Sequence, residues 1–442
     1  MLDHCIYIVY TLLTSLVSDT SRNMRKASKP RPVQVRQKIS QNPVKEPSYD
    51  RKLQKLPYSP LAPSRLRSIS IKWVLVWVGA LFGALILFSI LFIKFAPGGA
   101  AQFTDYVLRP IIGPARVAAL EKTFFNISDK LQGLEYAGKN PDSPILPESA
   151  AANQVITQKS GTVSQLDLAA LPASYFPSLT GEGVWENYPL KLFPNQQVMA
   201  HTFLRPDAQR SYAFATVVEL DMQQLKLGSV AGLLQPGGPV GKKGPGVVPS
   251  TIVKSGSLVS AFDGGFEYLD GAYGMIVGST TYLPLVQNMA TLVGYTDGSL
   301  KLIKYTGQNL GSDIAFVRQN CPMLIEDGAV GTLDERNKAL WGRTLTSDIY
   351  TWRSGLGITA GGNLLFAVGN NLTPTTLAYA LKSAGAVNAM QLDINPHWVR
   401  FNIFDTTGNG TYSTTTLMKG ITDGSREYLH GYERDFFYVF KK

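Results

Sequence analysis

The chain has 442 residues, of which 45% are apolar, so its length and composition allow two or three domains with a sizeable core. The formal net charge of +10 lies at one end, because residues 1–72 hold 14 Lys and Arg against four acidic residues. The remaining 370 residues carry 28 charges of each sign, which argues against a basic nucleic-acid-binding domain and predicts no nucleic-acid partner. Two cysteines are too few for a small disulfide-stabilised scaffold.

The first predicted element is a transmembrane helix. Residues 73–93 form a stretch of 21 residues without a charge, which at 1.5 Å per residue spans the ~30 Å hydrocarbon core of a bilayer. A buried core helix is the alternative, but such a helix normally carries a polar stripe. The basic excess before the span predicts a cytoplasmic N-terminus and an extracytoplasmic C-terminal part. We therefore expect a single-pass protein of the plasma membrane.

Composition divides the rest of the chain. Residues 1–72 are rich in Pro, Lys, Arg and Ser, which predicts a disordered cytoplasmic tail in contact with anionic membrane lipid. The anchor extends over 73–96, and apolar residues at helical spacing predict juxtamembrane helices over 97–136. A Pro-, Ser- and Ala-rich linker over 137–180 leads to a globular domain over 181–442.

The globular domain is predicted to be α+β, a strand-rich mixed sheet with a few helices. Short β-branched and aromatic runs between Gly, Pro and Asp predict strands, at 212–220, 257–262, 290–295, 300–305, 364–368, 399–404 and 436–440. A helix is predicted over 373–384, because Thr373 is a favourable N-cap, Pro374 suits the first helical position and Gly385 follows the end. A weaker helical pattern lies at 334–340.

Three segments place polar residues beside glycine or proline at the end of an apolar run: 260–266 (SAFDGGF), 351–358 (TWRSGLGI) and 385–398 (GAVNAMQLDINPHW). Such positions lie at the rim of a sheet, where loops form a cleft. No P-loop, His-Glu-x-x-His, Cys-x-x-Cys or Gly-x-Ser-x-Gly motif occurs in the sequence. We expect no cofactor and no metal ligands, with a divalent cation left open.

In this order and spacing the motifs resemble those of the phosphodiester glycosidase family, over roughly residues 195–442. The matching elements are a turn at 263–266 (DGGF), a hairpin at 295–298 (YTDG), a strand at 353–357 (RSGLG), the helix after it, and the strand end Leu392-Asp393. The anchor and Asp393-Ile394-Asn395 resemble a membrane-bound bacterial branch, in which Asp-Ile-Asn replaces Asp-Gly-Gly. The resemblance implies a hydrolase of sugar-phosphodiester bonds.

Hydrolysis of a sugar-1-phosphodiester requires stabilisation of an anionic phosphate and a carboxylate for proton transfer. Arg353 is the candidate for the phosphate, because a guanidinium binds phosphate oxygens bidentately. Asp393 and Asp263 are the candidate acid and base. The candidate substrate-binding residues are Arg318, Asn320, Asn395, His397, Gly264 and Gly265.

Structural roles remain open for these three catalytic candidates: Arg353 as a buried partner of Asp393, Asp263 as a cap of the Gly-Gly turn, and Asp393 in an Asx turn. The sequence also departs from the family pattern, with Asp263 in place of Asn and 394–397 (INPH) in place of a Gly/Ser run. Two functions follow from these motifs, and a third, a scaffold for other membrane proteins, follows from the predicted helices at 103–136. The first is an extracytoplasmic hydrolase acting on a phosphorylated glycan or envelope polymer. The second is a non-catalytic glycan-binding or envelope-assembly protein on the same fold.

Overall fold

The computed structural model describes residues 166–442 except 240, 336–337, 343–349 and 409, together with isolated positions between 79 and 145. The predicted tail, and the anchor apart from Gly79, Ala80 and Gly83, lie outside the described residues. Within the described part of the chain, no helix is long and apolar enough to cross a membrane. The membrane anchor and the juxtamembrane helices therefore stay predictions.

Strands dominate the described domain, as the sequence predicted. In chain order they are β1 (Glu186–Asn187), β2 (Met199–Leu204), β3 (Ala215–Leu220), β4 (Leu225–Val230), β5 (Leu258–Asp263), β6 (Met275–Val277), β7 (Thr280–Leu283), β8 (Ala290–Tyr295), β9 (Leu300–Lys304), β10 (Ile314–Asn320), β11 (Met323–Glu326), β12 (Ala329–Val330), β13 (Thr351–Thr359), β14 (Leu364–Leu372), β15 (Ala386–Ile394), β16 (Phe401–Gly408), β17 (Thr411–Thr416) and β18 (Phe436–Lys441). The described helices are α1 (Ser250–Ser255), α2 (Lys338–Trp341), α3 (Pro374–Ser383) and α4 (Ser425–His430), with a 3-10 turn at Tyr268–Asp270.

The strands form three sheets. Sheet I has the order β1-β2-β3-β14-β13-β15-β11-β12, sheet II β7-β6-β10-β8-β9, and sheet III β17-β16-β5-β18-β4. Every pairing between these strands is antiparallel. The expected mixed sheet is therefore corrected: the parallel contact among the described residues is an isolated bridge between Glu182 and Phe203.

The main core lies between sheet I and the other two sheets. Because side chains alternate along a strand, Phe366 of β14 points into this core, while Leu365 and Ala367 belong to a second apolar cluster with α3. The rings of Phe366 and Phe262 of β5 lie 5.0 Å apart, and those of Phe366 and Phe401 lie 4.8 Å apart. Aromatic packing therefore joins sheet I to sheet III at the level of β5, whose last residue is Asp263.

Helix α3 forms where the sequence predicted it, and a local signal explains why. Thr373 caps the helix, with its side chain accepting a hydrogen bond from the main-chain N–H of Thr376 and the reciprocal bond also present. The helix packs on β13 at Gly355, where a Cβ would lie 3.1 Å from Leu377 Cδ2 and 2.9 Å from the Met390 carbonyl oxygen. Glycine in this strand therefore permits close approach of the helix to the sheet.

The packed region begins before the predicted domain boundary at residue 181. The main-chain N–H of Asp167 donates to the Glu219 carboxylate of β3. The Asp167 carboxylate accepts from the Thr359 hydroxyl of β13 at 2.6 Å. The Trp185 indole N–H donates to the Ala169 carbonyl oxygen at 2.8 Å. Residues 166–180, which the sequence assigned to the linker, thus pack against sheet I.

Candidate active site

The structure brings Asp263 and Asp393 together through the hydroxyl of Ser354. The hydroxyl donates to Asp263 Oδ2 at 2.5 Å and accepts from the main-chain N–H of Asp393 at 3.0 Å. The same N–H also lies 3.3 Å from Asp263 Oδ2. The ends of β5 and β15 and the start of β13 therefore meet here, and the two carboxylates belong to one buried cluster between sheets I and III.

Arg434 is the cation beside Asp393. Its Nη2 contacts Asp393 Oδ2, and its Nη1 contacts Glu267 Oε1. The guanidinium also lies over the Trp398 ring, 4.5 Å from the centroid. The Asp393 and Arg434 side chains are 4% and 6% exposed, whereas Glu267 is 31% exposed. One guanidinium thus connects a buried carboxylate to a carboxylate at the surface, with a half-buried indole beside it.

Burial perturbs both aspartates. Removal from water raises the pKa of Asp263 to about 7, although the Ser354 hydroxyl and the Arg400 and Asp393 main-chain N–H groups oppose the shift. Burial also raises the pKa of Asp393 to about 8; the charge of Arg434 opposes this, and the charge of Asp263 adds to it. Near neutral pH, Asp393 is therefore able to hold a proton that it can give to a leaving group.

Arg353 lies apart from this cluster. Its Nε donates to the Leu372 carbonyl oxygen at 2.9 Å, and its Nη1 donates to the Trp341 carbonyl oxygen at 3.1 Å and to Gln391 Oε1 at 2.8 Å. Burial lowers the pKa of Arg353 to about 10. Arg434 occupies the position next to Asp393. Arg353 was expected there, either as phosphate ligand or as ion-pair partner.

Arg318, Gly264 and Gly265 form part of the scaffold under the site. Arg318 donates to both carboxylate oxygens of Asp435, at 2.7 and 3.0 Å, and to the Phe266 carbonyl oxygen at 3.0 Å. A Cβ on Gly264 would meet Asp435 Oδ2 at 2.2 Å, and one on Gly265 would meet Arg318 Nη2 at 2.6 Å. The buried ion pair fills the space beside the turn, and the substrate-binding role of these residues stays a prediction.

Asn320 is also a scaffold residue. Its side-chain oxygen accepts from the Phe266 N–H at 3.0 Å, and its amide nitrogen donates to the carbonyl oxygens of Gln391 and Leu392 at 3.0 and 2.6 Å. The side chain is fully buried and ties the 263–266 turn to β15 just before Asp393. Asn320 therefore helps to position the cluster, and its predicted contact with substrate stays a prediction.

The 394–398 segment borders the cluster. Asn395 has φ 79°, in the left-handed region that asparagine tolerates better than most residues, so the backbone retains a conformation that glycine would adopt. His397 is half-buried, and its ring meets the Trp398 ring edge-on at 4.5 Å. Burial and then the charges of Arg400 and Arg434 lower the pKa of His397. Among the predicted substrate-binding residues, Asn395 and His397 are therefore closer to the surface than Arg318, Asn320, Gly264 and Gly265, which are buried.

Two structural roles considered from the sequence are filled by other atoms. The N–H of Gly265 donates to Asp435 Oδ2 at 3.1 Å, so Asp435 caps the Gly-Gly turn where Asp263 was the candidate. Asp393 Oδ1 accepts from the adjacent Ile394 N–H at 2.8 Å, while the Asn395 N–H donates to the Trp352 carbonyl oxygen. Neither Asp263 nor Asp393 has the local turn role that competed with a catalytic one.

Ser354, Glu267, Arg434 and Asp435 were not predicted as site residues. The adjacent charges of Arg434 and Asp435, immediately before the buried strand β18, are the available signal, since charged residues beside a buried strand need partners. The partners, however, are distant in sequence. Asp393, the partner of Arg434, lies 41 residues away, and Arg318, the partner of Asp435, lies 117 residues away. Among the described residues, no group of three His, Cys, Asp or Glu has a metal-binding arrangement.

Comparison with known proteins supports the family resemblance. Residues 254–393 match the model of the family described as phosphodiester glycosidase. Among solved structures, the zebrafish N-acetylglucosamine-1-phosphodiester alpha-N-acetylglucosaminidase catalytic domain, auto-inhibited by its pro-peptide, is 13% identical, with 56% of this chain and 85% of that chain covered and a TM-score of 0.35. A hypothetical protein from Synechocystis is 11% identical, with 59% and 62% covered and a TM-score of 0.28. A search of curated proteins found no match.

The matched segment begins in α1 and ends at Asp393, so it includes Asp263 and Ser354. Over these residues the chain is similar to the phosphodiester glycosidase family, and the predicted family resemblance is confirmed. The match suggests, at a coarse level, a glycosidase-type hydrolase and a phosphorylated glycan as substrate.

Proposed function

We propose that the protein hydrolyses sugar-phosphodiester bonds, with Asp393 as general acid and Arg434 as the phosphate-binding cation. The observation that carries the proposal is the Asp393–Arg434–Glu267 chain, in which one guanidinium contacts a buried and a surface carboxylate. Asp263 acts through Ser354 and the main-chain N–H of Asp393, and is therefore a positioning residue.

Charge balance explains why a raised pKa at Asp393 suits this reaction. With Asp393 ionised, the Asp393, Arg434 and Glu267 charges sum to a negative site that repels phosphate. With Asp393 protonated, Arg434 and Glu267 balance, and the guanidinium is able to share its donors with a phosphate oxygen. The pKa of about 8 keeps this neutral form available near neutral pH.

In the proposed reaction, water adds to the anomeric carbon and the bond from that carbon to the phosphate oxygen breaks. Asp393 gives its proton to the departing phosphate oxygen, and Glu267 accepts a proton from the attacking water. Arg434 stabilises the negative charge that the departing phosphate gains. The Trp398 indole face packs against the guanidinium and helps to hold it in position for the phosphate.

The substrate and the location follow from the other features of the chain. The uncharged 73–93 span and the basic excess before it support a single-pass anchor in the plasma membrane, with the domain on the extracytoplasmic side. We infer that the substrate is a phosphorylated envelope glycan or related polymer, that the basic tail contacts membrane lipid, and that the protein belongs to a membrane-anchored bacterial branch of the family.

A non-catalytic glycan-binding or envelope-assembly protein is the second candidate. The observation that favours it is the burial of both aspartates, since Asp263 is 2% and Asp393 3% exposed. Substrate must therefore reach Asp393 past Arg434 and the 394–398 segment. A binding protein on this fold would retain the Arg434 contact with a phosphate and would not need proton transfer by Asp393.

The test is release of free sugar from an N-acetylglucosamine-1-phosphodiester by the full-length protein. Asp393→Asn keeps the side-chain shape but removes the proton donor, and loss of such a group costs about 10²–10⁴ in rate. Asp313→Asn, at an exposed position, is the matched control and should retain full activity. Phosphodiester binding by a wild type that releases no sugar would favour the binding protein instead.

A further inference from the structure

Glu219 of β3 is a buried carboxylate that takes no part in the Asp393 cluster. Residues directly opposite each other in antiparallel strands share a face of the sheet. Glu219 lies opposite Ala200 of β2 and Leu365 of β14, which both belong to the apolar cluster that includes α3. These neighbours carry no charge, and neither do the buried residues of α3. A fully buried acidic group in this apolar setting is costly unless it is paired or neutralised.

Residues 166–173 pack beside Glu219. The main-chain N–H of Asp167 donates to Glu219 Oε1 at 2.5 Å, and the Asp167 carboxylate accepts from the Gly361 N–H at 2.9 Å. A Cβ on Gly361 would lie 2.1 Å from Asp167 Oδ2, so this close approach requires a glycine. Three leucines of the segment pack on the cluster that includes α3: Leu166, Leu168 and Leu171. The segment is thus docked by apolar packing and by the contacts of Asp167.

The Glu219 carboxylate has hydrogen-bond donors on one oxygen only. Asn363 Nδ2 donates to Oε1 at 2.9 Å, the same oxygen that accepts from the Asp167 N–H, whereas Oε2 is buried and has no partner among the described residues. The charges that act most on Glu219 are those of Asp167 in the segment and Asp221 on its own strand, and both are negative. The cation Lys442 acts on Asp221. An ionised Glu219 is therefore buried beside like charge, and a proton on Oε2 removes that cost.

The pKa of Glu219 gives the direction of the effect. Burial raises the pKa of Glu219 to about 7; the hydrogen bonds from the Asp167 N–H and Asn363 oppose the shift, and the charges of Asp167 and Asp221 add to it. Release of residues 166–173 would let water reach the carboxylate, which returns its pKa toward the ordinary value of 4.5. The docked state then binds the proton more tightly than the released state. Its extra stability is fully present below about pH 4.5 and is lost as pH rises through about 7.

We propose that Glu219 and residues 166–173 form a pH-sensitive clasp on sheet I, which holds the segment docked at acidic pH and releases it more often at alkaline pH. Release ends near Ser174, because Arg205 Nη2 donates to Ser174 Oγ at 3.2 Å and to the Pro177 carbonyl oxygen at 2.7 Å. At most ~3.3–3.6 Å per residue, the freed segment lengthens the connection to the preceding chain by roughly 25 Å. With the single-pass anchor inferred above, the clasp sets how far the domain reaches from the membrane. It does not depend on the proposed hydrolase activity.

The clasp is tested by hydrogen–deuterium exchange of the full-length protein in detergent micelles from about pH 5 to about pH 8, with rates corrected for the intrinsic pH dependence of exchange. In the wild type, protection of the amides in residues 166–173 should fall by about tenfold or more over this range, since a pKa shift from 4.5 to about 7 allows ~300-fold. Glu219→Gln removes the titrating group and should abolish this pH dependence. Asp313→Asn, at an exposed position, is the matched control and should retain it.

A second variant keeps the test valid if Glu219→Gln fails to fold. Glu219→Met also removes the titrating group, and its apolar side chain of similar length avoids burying an amide donor where Oε2 lies without a partner. Its protection over 166–173 should be lower than that of the wild type at pH 5 and should not change with pH. Two results would overturn the inference: wild-type protection that stays constant or rises between pH 5 and pH 8, or a pH dependence in the folded Glu219 variant equal to that of the wild type.

Discussion

Replacement of Asp263 by asparagine should make the stability of the protein less dependent on pH without disturbing the site. Asp263 Oδ1 accepts from the Arg400 N–H at 2.9 Å, and Oδ2 faces the Ser354 hydroxyl. An asparagine can keep the first contact with its oxygen and donate to Ser354 with its amide nitrogen. The hydroxyl is then free to donate to the Asp393 carbonyl oxygen, which lies 3.3 Å away.

The magnitude follows from the pKa of Asp263. Burial raises it from 3.8 to about 7, and at about 1.4 kcal/mol per pH unit this corresponds to roughly 4 kcal/mol. The folded protein binds the proton more tightly than the unfolded chain, so the contribution is fully present below pH 3.8 and is lost as pH rises to about 7. At roughly 2 °C per kcal/mol, the loss in Tm is on the order of 8 °C.

The assay is the Tm of the full-length wild type and Asp263→Asn, followed by intrinsic fluorescence at intervals from about pH 4 to about pH 8. The variant should lose on the order of 8 °C less than the wild type over this range. Asp313→Asn, an exposed acid-to-amide change, should follow the wild type. If wild type and Asp263→Asn lose the same Tm, then Asp263 is not held in a raised-pKa environment, and the description of the cluster fails.

Three further predictions concern the scaffold, the domain boundary and the topology. Gly265→Ala should destabilise the protein by about 1–3 kcal/mol in urea unfolding, because the new methyl group meets the buried Arg318 guanidinium; a change below about 0.5 kcal/mol would contradict this packing. The fragments 181–442 and 166–442 should both fold without the anchor. The longer fragment should have the higher Tm, because it keeps the hydrogen bonds of residues 166–180. Equal Tm values would show that these bonds do not stabilise the fold. Protease added to spheroplasts should release the domain from a protected cytoplasmic tail, and protection of the domain would reverse the topology.

The elements predicted from the sequence are those specified by local signals. Strand Ala290–Tyr295 and helix Pro374–Ser383 were predicted within a residue or two, since the first is a short run between turn residues and the second has its own cap and proline. Strand β10 was not predicted, and of β15 only the end at Leu392-Asp393 was, through the family resemblance. Both are almost wholly buried and carry polar residues, such as Gln319 and Gln391, whose hydrogen-bond partners lie in other parts of the chain.

In the candidate site, too, the residues marked by a local signal were predicted and those that depend on distant partners were not. Asp263 and Asp393 were identified because each follows an apolar run and precedes a turn, which is visible locally. The identity of the neighbouring cation was not visible. Arg353 lies one residue from Ser354, yet its guanidinium donates to the Leu372 and Trp341 carbonyl oxygens and to the Gln391 side chain. Arg434 instead enters the cluster from the far end of the domain. Which arginine reaches a carboxylate depends on how sheets I and III pack.

A comparison of Arg434→Lys with Arg353→Lys in the sugar-release assay tests directly whether Arg434 is the phosphate-binding cation. Lysine lacks the planar guanidinium whose two Nη atoms contact Glu267 and Asp393, so Arg434→Lys should reduce kcat by about 10²–10³. Arg353→Lys should lower the Tm, because buried main-chain oxygens lose a donor, but keep kcat per folded molecule within about tenfold. Loss of kcat in Arg353→Lys together with its retention in Arg434→Lys would contradict the account.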